Sequence, residues 1–137
     1  MPGEYPPMLL CLDLEYGSQE LARYAANRAR RCRQGIVLLH VVPEHGTDLD
    51  RPRQQLAAIA ATLLAHSRVG DIIIEQGIAE DKIVAVARRH GASLLILGRR
   101  RRPTVERIYV GSTTSAVISL AGAAVLVVPL EESGISA

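Results

Sequence analysis

Residues 93–128 read SLLILGRRRRPTVERIYVGSTTSAVISLAGAAVLVV, and the order of elements in this stretch decides the fold. The run Ser93–Leu97 predicts a buried strand, Ser112–Leu120 predicts a helix, and Ala124–Val128 predicts another buried strand. Short strands that are apolar throughout and are joined by a helix indicate a parallel βαβ unit. The stretch therefore favours a sheet that is covered by helices on both faces.

The rest of the chain repeats this alternation outward from the quoted stretch. We predict further strands at Met8–Leu12, Ile36–Val42 and Asp71–Glu75, and further helices within 17–35 (with Ser18 as N-cap and Gly35 as C-terminal stop), 53–67 and Ala79–His90. The predicted fold class is α/β: a five-stranded parallel doubly wound sheet with strand order 3-2-1-4-5 and helices on both faces. Residues 1–137 are expected to form a single domain.

Composition narrows the class of partner. The sequence is 48% apolar, with four Tyr and no Phe or Trp, which predicts an aliphatic core and argues against modules that stack nucleic-acid bases on aromatic rings. The net charge is only +2, and the two halves of the chain carry the same balance of charge. We therefore expect no nucleic-acid partner.

Cysteine usage and the N-terminal segment predict a cellular location. Cys11 and Cys32 are far apart and form no CxxC motif, as is usual in a reducing cytoplasm. The apolar segment Met8–Leu12 is too short for a signal peptide or a membrane span. We expect a cytoplasmic protein with no membrane partner.

Topology predicts where a ligand would bind. In an open α/β sheet the ligand crevice lies beyond the carboxyl ends of the strands, where the strand order reverses. The predicted first strand leads to Asp13, the fourth leads to Gly98, and these two strands are neighbours at the reversal. The segment 98–110 between the fourth strand and its helix is longer than the usual two to six residues or so, which suggests a functional loop.

The end of that loop favours an anion. Gly111, Ser112, Thr113 and Thr114 open a helix, where unpaired backbone N–H groups attract negative charge. The four arginines at 99–102 repel one another and the positive end of the helix. This repulsion is relieved if the side chains point into water or if an anion such as a phosphate chain bridges them. Taken singly, Ser112 and Asp13 read as helix caps and the arginines as solvated, but together they favour a ligand site.

Four segments of the sequence resemble the universal stress protein family over nearly the whole chain: MLLCLD (8–13), IVLLHVV (36–42), ASLLILG (92–98) and GSTTSAVISLAGAAVLVVPL (111–130). In the nucleotide-binding branch the loop pattern is Gly, two residues, Gly, nine residues, Gly, then Ser or Thr. Gly98, Gly111 and Ser112 fit this pattern, whereas Arg101 occupies the middle glycine position.

The resemblance implies a set of nucleotide contacts. Asp13 and the backbone of Val41 would contact the adenine or ribose end of ATP, while Leu97 and Gly98 would line the path of the ribose and phosphates. The phosphates, often with a divalent metal such as Mg²⁺, would be held by Gly111, Ser112, Thr113 and Thr114. Arg101 would either donate to a phosphate or fill the pocket and exclude the nucleotide.

Two hypotheses about the function of the protein remain open. The first is a stress-response regulatory protein that binds an adenine nucleotide and is not an enzyme. The second is a dimeric protein–protein interaction module of the same fold, with the crevice blocked by Arg101. DLEYGSQELARYA (13–25) and VLVVPLEE (125–132) favour the second, because they resemble a branch of the family that is thought not to bind ATP. A slow nucleotide hydrolase and a nucleic-acid binder using the arginine run are weaker alternatives.

Other features offer little chemistry but suggest a partner. His40 is expected to bond to backbone, and His45, Asp48 and Asp50 are read as a solvated loop rather than a metal site. The predicted edge strand Val125–Val128 is apolar and carries no blunting charge, so it favours pairing with a second copy of the chain. We therefore expect a homodimer, together with a client protein that the sequence does not identify.

Overall fold

Strands and helices alternate strictly along the described residues, 5–45, 48–100 and 112–130, of the computed structural model. The elements are β1 (Met8–Cys11), α1 (Ser18–Cys32), β2 (Ile36–Val42), α2 (Asp50–Leu64), β3 (Val69–Gln76), α3 (Ala79–His90), β4 (Leu94–Arg100), α4 (Ser112–Leu120) and β5 (Ala124–Leu130). Arg101 and Gly111, both predicted to contact a ligand, lie outside the described residues.

The five strands form one parallel sheet in the order β3-β2-β1-β4-β5, which confirms the predicted topology. β1 occupies the centre and pairs on one side with β2, Met8 opposite Ile36, and on the other with β4, Met8 opposite Leu94. The strand order therefore reverses between β1 and β4, and the carboxyl ends of these strands face the same edge of the sheet.

Helices cover both faces because the central strands are apolar on both faces. The layer under α1 and α2 contains Leu10, Leu38 and Ile96 from the strands, packed against helix residues such as Leu21 and Leu56. The opposite layer, under α3 and α4, contains Leu9, Leu39, Leu95, Val86 and Val117. Aliphatic side chains fill both layers, as the composition predicts.

The start and end of α1 differ from the predicted caps. Gly17, not Ser18, is the N-cap residue, and its φ of 87° is a left-handed conformation that glycine adopts without strain. Ser18 is instead the first helical residue and is buried. The helix ends before Gly35, because Arg33 takes a left-handed conformation and its N–H donates to Ala29 O.

Strand pairing lengthens three of the predicted strands. β3 begins at Val69, opposite Ile36, and continues to Gln76, opposite Val42. β4 runs past Leu97 into the arginine run, and β5 runs to Leu130, because Arg99 pairs with Pro129 and Arg100 with Leu130. The first two arginines therefore belong to the sheet rather than to the following loop. No helix among the described residues is long and apolar enough to cross a membrane.

Candidate functional site

A cavity of about 500 Å³ opens at the carboxyl edge of the sheet, where β1, β2 and β4 end. Its wall combines strand ends, the β1–α1 turn and the first turns of α3 and α4. The described lining residues are Cys11, Leu12, Asp13, Glu15, Tyr16, Ser18, Leu21, Leu39, Val41, Ala79, Ile83, Leu97, Gly98, Arg99, Thr113, Thr114 and Leu130. Its position is the crevice that the topology predicts.

The β1–α1 turn forms one rim of the cavity and is held by specific hydrogen bonds. The N–H of Leu12 donates to Leu39 O at 2.9 Å, and Asp13 Oδ1 accepts the N–H of Glu15 at 3.0 Å. Leu14 has a φ of 65°, an uncommon value for a residue other than glycine. Strained backbone of this kind is often found at ligand-binding loops, where the surrounding structure maintains it.

His40 supports this rim from the neighbouring strand. Its Nδ1 lies 2.7 Å from Leu12 O, and because a carbonyl can only accept, Nδ1 carries the proton and donates it. The bond joins β2 to the residue that precedes Asp13. His40 is thus a positioning residue, with the backbone bond predicted from the sequence.

The side of the cavity under α3 is apolar. Cys11, Leu39 and Leu97 form its floor, and Ala79 and Ile83 of α3 form its wall. Desolvation raises the pKa of the Cys11 thiol to about 12, well above its ordinary value. This surface suits an uncharged, flat group, because a charged one would lose its hydration without compensation.

A second part of the wall is polar and includes the beginning of α4, which covers the same face of the sheet as α3. Thr113 and Thr114 lie in this part of the wall, and Arg99, near the end of β4, also lines the cavity. Ser112 begins α4 but is exposed and is not part of the wall. The first N–H groups of a helix carry partial positive charge, so this side suits an anion.

Gly98 leaves room for the side chain of Leu130, a structural role that the sequence did not suggest. A Cβ at Gly98 would overlap Leu130 Cδ1 and would lie 3.3 Å from Leu21 Cδ2; a Cβ at Gly17 would lie 3.0 Å from the same Leu130 methyl. The Leu130 side chain is therefore seated between two glycines, and it is 5% exposed. This Leu130 seat forms part of the cavity wall.

The predicted site residues fall into two groups. Asp13, Val41, Leu97, Gly98, Thr113 and Thr114 meet in one cavity, whereas Ser112 lies just outside it. Sequence reasoning missed Ser18, Ile83 and Leu130. Among the described residues, Ser18 Oγ is buried without a hydrogen-bond partner. Gly17 and Gly98 could have indicated a large side chain packed against them, but Gly98 was interpreted only as part of the ligand motif and Gly17 was given no role. Among the described residues, no cluster of three or more His, Cys, Asp or Glu could hold a metal ion.

Comparison with known proteins identifies the fold family. The model of the universal stress protein family matches residues 4–129. Similar solved structures include a universal stress protein from Archaeoglobus fulgidus, with 25% identity, a TM-score of 0.76, and coverage of 90% of this chain and 98% of that one.

Two further similar structures were solved as complexes. One is the universal stress protein from Archaeoglobus fulgidus with dAMP, at 22% identity, a TM-score of 0.71 and coverage of 90% and 97%. The other is a universal stress protein with cAMP, at 17% identity, a TM-score of 0.73 and coverage of 93% and 98%. No curated protein sequence gave a match. The family model matches nearly all of the sequence, and the fold is that of solved universal stress proteins. This chain therefore belongs to the universal stress protein family.

Proposed function

We propose that this protein is a stress-response regulatory protein that binds an adenine nucleotide, with ATP as the first candidate, in the cavity between β1 and β4. The observation that carries the proposal is the joining, in one cavity, of an apolar surface under α3 and a polar surface at the start of α4. A nucleotide has the same two halves, a flat base and a phosphate chain.

The base fits the apolar half. In our proposal it rests on Leu39 and Leu97 and against Ile83, while Asp13 and the backbone of Val41 supply hydrogen bonds at its edge or to the ribose. A cavity of about 500 Å³ lies within the common range for small-molecule sites, roughly 300–1,000 Å³.

The phosphates fit the polar half. Thr113 and Thr114 offer hydroxyl groups and helix N-terminal N–H groups, and Arg99 offers a guanidinium. Gly111, Ser112 and Arg101 are proposed to complete this half. Mg²⁺, if it accompanies ATP, would be carried chiefly by the phosphates, since the described residues contain no cluster of metal-ligating side chains.

The similar structures support an adenine nucleotide over other ligands, because two of them contain dAMP and cAMP. We propose binding without catalysis. The described cavity wall contains no histidine or lysine, and its two carboxylates, Asp13 and Glu15, belong to the β1–α1 turn, where we place the base and ribose rather than the phosphates.

Calorimetric titration of nucleotide-stripped protein tests the proposal. ATP with Mg²⁺, AMP and cAMP are each titrated into the protein and into Thr113→Val. Thr62→Val is the matched control, because the Thr62 hydroxyl donates to Ile59 O within α2, away from the cavity. We expect Thr113→Val to weaken binding by roughly ten-fold, from one lost hydrogen bond to a charged group, and Thr62→Val to leave it unchanged. Absence of heat with all three nucleotides at millimolar concentration would reject the proposal.

The alternative function is a protein–protein interaction module whose crevice is closed by Arg101. It predicts no binding by the natural sequence and recovery of binding in Arg101→Gly. If Arg101 instead grips a phosphate, the same substitution weakens binding that already exists. One variant therefore separates the two functions.

A homodimer completes the proposal. β5 is an edge strand, and Val125–Val128 are only half-buried within one chain. Pairing of β5 with the same strand of a second copy would cover this edge. Val127→Lys should convert a dimer to a monomer in light scattering after size exclusion, because like charges would meet near the two-fold axis.

A cytoplasmic location, and a client protein recognised by the dimer, are also proposed.

A further inference from the structure

A second cavity, of about 490 Å³, lies at the opposite edge of the sheet from the proposed nucleotide site. It forms where the segment before β1, the end of α1 and the link between α2 and β3 come together. The residues that matter for the argument are Tyr5, Arg30, Arg33, Gln34, His66 and Arg68. We call this group the basic cavity.

The described residues of the basic cavity gather positive charge without a carboxylate. Arg30 and Arg33 come from the end of α1, and Arg68 comes from a segment more than thirty residues later; none of the described lining residues is acidic. Within the described part of the chain, Arg30 Nη2 donates to Asn27 Oδ1 at 3.4 Å. The ion pairs among described residues lie elsewhere, at Arg89–Glu75 and His90–Asp71.

Helix capping does not account for the whole cluster. Arginines near a helix C-terminus often neutralise its free carbonyl groups. Here Ala29 O already accepts the backbone N–H groups of Arg33 and of Gln34, the latter at 2.9 Å. The dipole of α1 also gives no reason for Arg68, which belongs to a different segment, to lie beside Arg33.

The backbone that carries these side chains is fixed by hydrogen bonds. Gln34 Nε2 donates to Pro6 O at 2.7 Å and to Ser93 Oγ at 2.9 Å, which ties the end of α1 to two other segments. Arg68 O accepts the N–H of Ile36 at 2.9 Å, so the start of β3 is locked to β2. The arginine side chains are exposed, but the backbone that carries them is preorganised, which lowers the entropic cost of closing on a ligand.

We propose that the basic cavity binds a phosphate group, either inorganic phosphate or the phosphomonoester of a small molecule. Guanidinium groups pair with phosphate oxygens through two parallel hydrogen bonds each, and two segments that approach from different directions can hold one phosphate between them. The exposed Tyr5 ring provides an apolar wall for the organic part of a phosphomonoester. This site is independent of the nucleotide cavity, since the two share no lining residue.

NMR titration of ¹⁵N-labelled full-length protein tests the proposal. Inorganic phosphate and glycerol phosphate are the probes, with sodium chloride at the same ionic strength as the blank. We expect saturable shifts of the backbone amides of residues 29–35 and 66–69 with both phosphates and not with chloride. Tighter binding of glycerol phosphate than of inorganic phosphate would show that the organic part adds contacts beyond those of the phosphate group.

A matched pair of variants makes the test decisive. Arg33→Gln/Arg68→Gln should weaken phosphate binding by at least about ten-fold, because two charge-assisted contacts are lost. Arg23→Gln/Arg53→Gln removes the same charge from exposed positions outside both cavities and should change the affinity less than two-fold. The proposal is overturned if chloride produces the same shifts, if no saturation occurs at tens of millimolar phosphate, or if both double variants lose affinity equally.

Discussion

Replacement of Gly98 by alanine tests whether the Leu130 seat is real. At a strand position without positive φ, Gly→Ala ordinarily stabilises a protein by about 0.5–1 kcal/mol, because the unfolded chain loses freedom. Here the added Cβ overlaps Leu130 Cδ1 and lies 3.3 Å from Leu21 Cδ2, so Leu130 must leave its rotamer. Overpacking of this kind costs about 1–3 kcal/mol. We therefore expect Gly98→Ala to lower the free energy of unfolding by roughly 1–2 kcal/mol.

A double-mutant cycle isolates the contact. Leu130→Ala alone should cost about 2–4 kcal/mol, the usual range for a buried leucine. In the Leu130→Ala background the overlap is gone, so Gly98→Ala should be neutral or stabilising there, with a coupling energy of about 1–3 kcal/mol. Free energies come from urea unfolding followed by circular dichroism at 222 nm.

Gly122→Ala is the matched control. A Cβ at Gly122 would meet no atom within 4 Å, so this variant should unfold within about 0.5 kcal/mol of the natural protein. If Gly98→Ala costs the same in both Leu130 backgrounds, or if it stabilises the natural protein as Gly122→Ala could, Leu130 does not sit against Gly98 and the account of the cavity wall is wrong.

The remaining predictions concern the thiols, the contact between α3 and β3, and the bridge at Gln34. Because burial raises the pKa of Cys11 to about 12 while Cys32 is exposed, a thiol reagent at pH 8 should modify one cysteine quickly, and Cys32→Ser should abolish that fast phase; rapid labelling in Cys32→Ser would contradict the burial. The same pKa shift predicts that stability falls above about pH 9 as the unfolded thiol ionises first, which urea unfolding at pH 8 and pH 10 would measure against Cys11→Ser. His90 Nδ1 lies 3.1 Å from Val86 O and its Nε2 lies 2.9 Å from Asp71 Oδ2, so a cycle of His90→Ala and Asp71→Ala should give a coupling of about 0.5–1 kcal/mol, and strict additivity would mean that the pair contributes nothing. Gln34→Ala should increase amide hydrogen exchange at Ser93 and Met8 more than at Val125, since its two bonds tie the α1 end to the segments before β1 and β4.

The sequence by itself determined the class and order of the elements. Apolar runs such as Ile36–Val42 and helical periodicity such as that of Ala79–His90 are local signals, and each depends only on residues a few positions apart. The handedness of βαβ crossovers then limits the possible strand orders to a few. That is why the 3-2-1-4-5 order, and a crevice beyond Asp13 and Gly98, could be predicted before any coordinates were known.

Only the tertiary structure decided the details of both cavities. β4 continues through Arg99 because β5 provides paired residues as far as Leu130. Position 98 accommodates only glycine without rearrangement, because a Cβ there would overlap the side chain of Leu130. Arg33 and Arg68 line one cavity only because β3 pairs with β2, with Ile36 N–H bonded to Arg68 O, and because α1 leads directly into β2. Such contacts join residues that are thirty or more positions apart, and they depend on side-chain volume and packing that no local pattern records.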